Sequence, residues 1–186
     1  MYTTADFRNG LKIEIEGVPY IIVEFQHVKP GKGTAFVRTR IRNLITNQVI
    51  DKTFRSGDKV EKPDLEERQL QYQYSDELFY HFMDMQTYEQ IQLDSAQVAE
   101  VKGFMPEHVV VNALLYRGRP ISVELPNFVE ITIVQTDPGI RGDTATGGTK
   151  PAKVSTGGIV QVPLFVNEGE TIRIDTRTNS YIERVS

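Results

Sequence analysis

Apolar residues in this chain recur at every second position more often than at helical spacing, which predicts strands. Leu11, Ile13 and Ile15 alternate with polar neighbours and lead through Gly17 into an apolar run at 18–25. A glycine between two such runs marks a hairpin turn. Ala35, Val37, Thr39 and Ile41 repeat the alternation, and a turn at Thr46-Asn47 precedes a further strand over 48–54. Ser56-Gly57-Asp58 closes another hairpin. About five short strands with frequent turn signals predict a small barrel over residues 1–63.

The same pattern continues. In residues 64–126, Leu70, Tyr72 and Tyr74 run to a turn at Ser75-Asp76-Glu77 and return through Leu78, Tyr80 and Phe82. That arrangement predicts a hairpin with aromatic cross-strand pairs. One helix is expected, over 94–102, with Asp94 or Ser95 as its cap and Gly103 as its stop. Strands follow over 109–116 and 121–125, around Arg117-Gly118. In residues 127–186 a strand over 128–134 leads into a Gly/Thr-rich loop from Asp137 to Thr149, then a strand over 158–166. A last hairpin pairs 171–175 with 181–185 across Arg177-Thr178-Asn179. The fold class is therefore all-β, in three small units whose thin cores favour docking between neighbours.

Composition narrows the chemistry. The absence of cysteine excludes disulfides and thiolate metal sites and points to a reducing, cytoplasmic setting. The first ten residues lack the apolar core of a signal peptide, and no run approaches the length of a membrane span. The net charge of −4 is unevenly spread. Residues 1–63 carry 11 basic and 7 acidic side chains, residues 64–126 carry 4 and 11, and residues 127–186 carry 6 and 7. A basic first segment on an acidic chain fits an end that meets RNA phosphates, although chance segregation of surface charge gives the same pattern.

No catalytic device stands out. His27, His81 and His108 show no metal-ligand spacing and no nucleophile partner. Glu66-Glu67 and Asp76-Glu77 are expected in loops or turns as solvated faces. The glycines at 139, 142, 147 and 148 do not form a phosphate-binding loop, and Lys150 lacks the adjacent Ser or Thr. The chain is not expected to be an enzyme. The aromatics around Tyr72 to Phe82 offer either stacking faces for bases or core, with core favoured. Tyr181 and Arg184 in the last strand either contact RNA or simply finish a barrel. One loop is distinctive: Lys29-Pro30-Gly31-Lys32-Gly33-Thr34, between two expected strands. Proline fixes φ and the glycines permit positive φ, so a tight exposed tip results, with Lys32 unshielded by neighbours. The residues alone also allow a plain hairpin in which Lys32 only adds solubility.

The order of these motifs resembles the bacterial elongation factor P family along essentially the whole chain. Asp6-Phe7-Arg8-Asn9-Gly10-Leu11-Lys12-Ile13 looks like that family's opening strand, and Lys29 to Phe36 like its modification loop. Asn127-Phe128-Val129-Glu130, then Thr136-Asp137-Pro138-Gly139 and Gly142-Asp143-Thr144, look like the opening of its third domain. Lys150-Pro151-Ala152 followed by Gly157, Val160, Val162-Pro163, Val166 and Gly169 matches the family signature without a gap.

The resemblance implies an SH3-like (KOW-like) barrel over 1–63 and two OB-fold barrels over 64–126 and 127–186, in an L-shaped, tRNA-like arrangement. It implies a monomer that binds the 70S ribosome between the peptidyl and exit sites and stimulates bond formation at consecutive prolines. Lys32 is then the modification site, extended by a lysine-modifying enzyme, with no other cofactor and no membrane partner. Relatives with arginine there receive rhamnose, a route this lysine disfavours. Lys29, Pro30, Gly31 and Gly33 shape the tip beside the P-site peptidyl-tRNA. Gly142, Asp143 and Thr144 match the loop that approaches the exit-site mRNA codon, and Tyr181 and Arg184 match the pair that contacts P-site tRNA. A divergent paralogue or a general single-stranded RNA-binding protein is the alternative.

Overall fold

The computed structural model describes residues 1–138 and 148–186 and is all-β. It divides into two compact units: Met1–Glu66 with Leu115–Ser122, and Glu67–Leu114 with Val123–Ser186.

In the first unit, β2 (Lys12–Ile15), β3 (Val18–Val28), β4 (Phe36–Asn43) and β5 (Val49–Arg55) form an antiparallel sheet in that order. The short strands β1 (Tyr2–Thr3) and β6 (Lys59–Val60) pair beside it. The β2–β3 turn is the two-residue type its sequence predicts: Glu16 and Gly17 both take positive φ, 49° and 77°, the geometry that matches strand twist. Phe7, Leu11, Ile13, Ile22, Val37, Ile41, Phe54 and Val60 form the core. Phe7 and Phe54 meet edge to face, with ring centroids 5.2 Å apart. A bulge between Ile22 and Glu24 leaves Val23 exposed and bends β3.

The remaining piece of this unit, Leu115–Ser122, is fastened by a buried phenol. The Tyr116 hydroxyl donates to the Glu14 carboxylate and to the Gly17 carbonyl. Arg117 pairs with Glu14 at 3.1 Å, and its amide donates to the Asp64 carbonyl. Burial first, and the Glu14 carboxylate second, raise the Tyr116 pKa above its ordinary value.

In the next sheet, β7 (Leu65–Ser75), β8 (Phe79–Asp84), β9 (Gln90–Asp94), β10 (Val110–Tyr116) and β11 (Arg119–Glu124) lie in the order β11-β10-β7-β8-β9. The aromatic stripe splits between core and surface. Tyr72 and Phe82 are buried, with centroids 5.4 Å apart. Tyr74 is exposed and lies flat on His81, with centroids 4.3 Å apart. Glu66-Glu67 belong to β7 and not to a loop, because the strand begins earlier than its apolar residues suggest. The β7–β8 turn is held by Asp76, whose carboxylate accepts from the Leu78 and Phe79 amides and meets His81 Nε2 at 2.6 Å. The His81 bond, then the two amides, lower the Asp76 pKa to about 2.

The helix expected over 94–102 does not form. Asp94 and Gln97 exchange the reciprocal cap bonds such a helix would use. Beyond them the chain makes a series of turns that ends in a 3-10 turn at Lys102–Phe104. Eight or nine residues are too few for a stable helix without strong packing. Here the packing pulls the chain elsewhere, since Phe104 leaves its own segment and enters the core of the last barrel.

That barrel comprises β12 (Phe128–Thr136), β13 (Thr149–Val154), β14 (Ile159–Pro163), β15 (Thr171–Asp175) and β16 (Ser180–Arg184), in the order β14-β13-β12-β15-β16. β13 was not legible: Pro151 inside it argues against a strand, yet it pairs on both sides. The core gathers Val129, Ile131, Ile133, Val154, Val162 and Ile174 around Phe104. Next to it the backbones touch. The Gly103 carbonyl accepts from the Gly158 amide at 2.9 Å and from the Thr156 hydroxyl. A Cβ on Gly158 would lie 2.5 Å from that carbonyl and 2.8 Å from the Phe104 ring.

Gly158→Ala is therefore expected to lower stability by about 1–3 kcal/mol, the usual cost of overpacking, measured by chemical denaturation. A depressed carboxylate pKa supports the fold above the unfolded value and loses that support as pH falls through the folded one. Asp76 thus stabilises its turn fully above about pH 4 and loses the effect towards about pH 2. Asp76→Asn should be less stable than the parent at neutral pH, and the gap should close on acidification through that window.

Candidate functional site

The tip between β3 and β4 is built as its sequence dictates. β3 and β4 stay paired out to Val28 opposite Phe36, and residues 29–35 make the reversal. Gly33 supplies positive φ (106°), while Gly31 keeps an ordinary φ, so one of the two flanking glycines is required by the turn. Pro30 is half-buried and lies below Gly33, whose added Cβ would sit 3.8 Å from the proline ring. Lys29, Gly31, Lys32 and Gly33 are exposed. Among the described residues, no hydrogen bond, ion pair or ring contact holds the Lys32 ammonium.

Leading away from this tip is a row of cations that the sequence reading did not single out. Val37, Thr39 and Ile41 point into the core, so Arg38, Arg40 and Arg42 share the outer face of β4. Their spacing is about 6.7 Å per pair of residues along a strand. Register places Gln26, Arg38 and Thr53 in one cross-strand row and Glu24, Arg40 and Asp51 in the next. These six residues line a groove of about 570 Å³. Arg40 is steadied by Asp51 at 3.3 Å and Glu24 at 3.8 Å, and Arg38 lies over the Phe36 ring. The signal was present in the alternation Phe-Val-Arg-Thr-Arg-Ile-Arg; the basic segment was noticed, its single-faced display was not.

In the second unit, Tyr181 and Arg184 share β16. Tyr181 is half-buried against the barrel core, opposite Ile174. Arg184 is exposed; its guanidinium lies 4.7 Å from the centroid of the exposed Phe165 ring and 3.6 Å from Glu170. Gly142, Asp143 and Thr144 lie outside the described residues. Tip and β16 thus belong to different units.

His81 is spent on the Asp76 turn, and His27 is exposed, edge-on to Phe25. Among the described residues, no group of three or more His, Cys, Asp or Glu side chains could hold a metal ion, and no helix is long and apolar enough to cross a membrane.

Three family models match the chain in succession: the elongation factor P KOW-like domain over residues 3–60, the elongation factor P OB domain over 65–123, and the elongation factor P C-terminal domain over 129–184. The chain is 53% identical to elongation factor P of Pelotomaculum thermopropionicum, over all of both chains. It is 51% identical to elongation factor P of Caldanaerobacter subterraneus, again over all of both. Among solved structures, it resembles the eukaryotic translation initiation factor 5A from Methanococcus jannaschii. That match has a TM-score of 0.55 and 23% identity and covers 67% of this chain and 91% of the other, a likeness of fold.

An exposed lysine without partners contributes nothing to folding, so Lys32→Ala should leave the denaturation midpoint unchanged within about 0.5 kcal/mol. Gly33→Val, which forces a β-branched residue to positive φ, should cost at least about 1 kcal/mol in the same measurement.

Proposed function

Since the chain belongs to the elongation factor P family, a family of non-enzymatic translation factors, we propose that it relieves ribosomes stalled at consecutive prolines through Lys32. The observation that carries this reading is the partnerless, solvent-exposed ammonium on a tip that Pro30 restrains and Gly33 turns. Proline reacts slowly because its ring restricts φ and constrains the attacking amine. A cation reaching the end of the P-site peptidyl-tRNA holds donor ester and nascent chain in a reactive arrangement. The gain is one of orientation, and ribosomal RNA supplies the catalytic centre.

The parts divide accordingly. Lys29, Pro30, Gly31 and Gly33 shape the tip, and Lys32 is the residue that a lysine-modifying enzyme extends, its exposure leaving room for both events. The arginine row beyond the tip supports an approach along a phosphate backbone, since each phosphate neutralised by Arg or Lys releases counterions. Tyr181 and Arg184 meet P-site tRNA, and Gly142, Asp143 and Thr144 approach the exit-site codon. The factor works in the cytoplasm, and its functional segments divide near residues 63 and 126.

In a translation assay reading through three consecutive prolines, Lys32→Ala should abolish most of the rescue while the variant remains folded. Rescue equal to that of the parent removes Lys32 from the mechanism. Intact mass of the protein from its native host should exceed the sequence mass by one group, located on Lys32 by peptide analysis.

A further inference from the structure

The proposed function leaves unused a cleft of about 450 Å³ in the second unit. Its first wall comes from the β7–β8 hairpin. The register shifts between Tyr72 and Tyr74, so Tyr72 pairs with Phe82 and Ser75, three residues on, with Tyr80. Such a bulge re-aims side chains. Tyr74 is turned out onto His81, while Ser75 and Tyr80 continue the face that carries Tyr72 and Phe82. The Tyr72 and Tyr80 rings lie 6.0 Å apart and are tilted by 37°. Met105 and Glu107, just after the 3-10 turn, form a second wall, and Ser155 and Thr156 of the β13–β14 turn a third. Thr156 is fixed there by its bond to the Gly103 carbonyl.

Two charged side chains line the cleft, and they differ in what holds them. The Lys102 ammonium donates at 3.0 Å to the hydroxyl of Ser95, a residue outside the lining. Among the described residues, no hydrogen bond or ion pair holds the Glu107 carboxylate. That carboxylate is close enough to act on the Tyr72 phenol. Burial raises the Tyr72 pKa above its ordinary value, a hydrogen bond with Ser75 opposes the rise, and Tyr80 and Glu107 add to it. An unpaired anion therefore stands beside two tyrosine rings, with the lysine already engaged.

Aromatic faces attract cations, and a carboxylate adds a charge-assisted hydrogen bond. Residues 64–126 carry 4 basic and 11 acidic side chains, so the longer-range field favours the same sign of ligand. The volume falls among those of small-molecule clefts. We propose that this cleft binds the ammonium group of a small organic amine, with Glu107 as its counter-ion and Tyr72 and Tyr80 as its aromatic wall. An occupant would touch the β7–β8 hairpin and the β13–β14 turn together and so stabilise the second unit.

Hexylammonium and hexan-1-ol have like shapes and differ in charge. In an amide NMR titration of the full chain, hexylammonium should shift Ser75, Tyr80, Glu107 and Ser155. It should bind at least about tenfold more tightly than hexanol. Glu107→Gln, at an exposed position, should weaken it about three- to tenfold and leave the ligand-free thermal midpoint unchanged. Tyr80→Leu should weaken it about threefold or more. Glu77→Gln, which removes an exposed acid outside the cleft, should leave binding as it is. Equal binding of the alcohol, an equal loss in Glu77→Gln, or shifts spread over the acidic surface would mean diffuse attraction and overturn the proposal. A blocked Gly-Lys-Gly peptide carries the same ammonium on a protein backbone. Tighter binding of that peptide than of hexylammonium assigns the cleft to a protein segment and overturns the small-amine reading.

Discussion

The pairing register between β3 and β4 is the constraint on which the candidate interface depends. Opposite residues run from Tyr20 and Asn43 to Val28 and Phe36, with one bulge between. Side chains alternate faces along a strand, so a slip of one residue would expose Val37 and Ile41 and bury three arginines. Burial of that apolar set on one face therefore fixes the charged set on the other. The ladder also carries order outward: its last pair is Val28 opposite Phe36, and Val28 lies one step from Lys29, so the tip inherits its direction from the core.

The second unit depends on a different kind of closeness. Phe104 fills the last barrel from outside its own segment, and Gly103 meets Gly158 backbone to backbone. Two small barrels each have too little interior to be robust alone. Sharing an aromatic side chain and a main-chain hydrogen bond enlarges the common core without adding residues.

Much of this was legible in the chain. Alternation at residues 11–15 and 35–41, Gly17 in its two-residue turn, and the Lys29–Thr34 tip depend on neighbours in sequence, where pattern reading is strongest. The misses share a cause. The capping residues at Asp94 and Gln97 behaved as local rules require, but Phe104 followed a distant core, and no local rule reports that. β13 was hidden because Pro151 normally excludes a paired strand. The arginine row was visible in composition, yet its meaning came from register with Glu24 and Asp51, residues up to sixteen positions away from Arg40. Lys150 was noted for its place in the family signature, and only the pairing of β13 shows that it faces inward.

Phe104 limits which barrels could stand in for the last one. Because the second segment supplies a side chain to the interior of the third, a foreign barrel substituted for the last one would need a vacancy of ring size. It would also need a residue without a side chain facing Gly103. A barrel lacking either feature would press a Cβ against the Gly103 carbonyl or leave the Phe104 ring without a pocket, so the last two segments cannot be exchanged independently of each other.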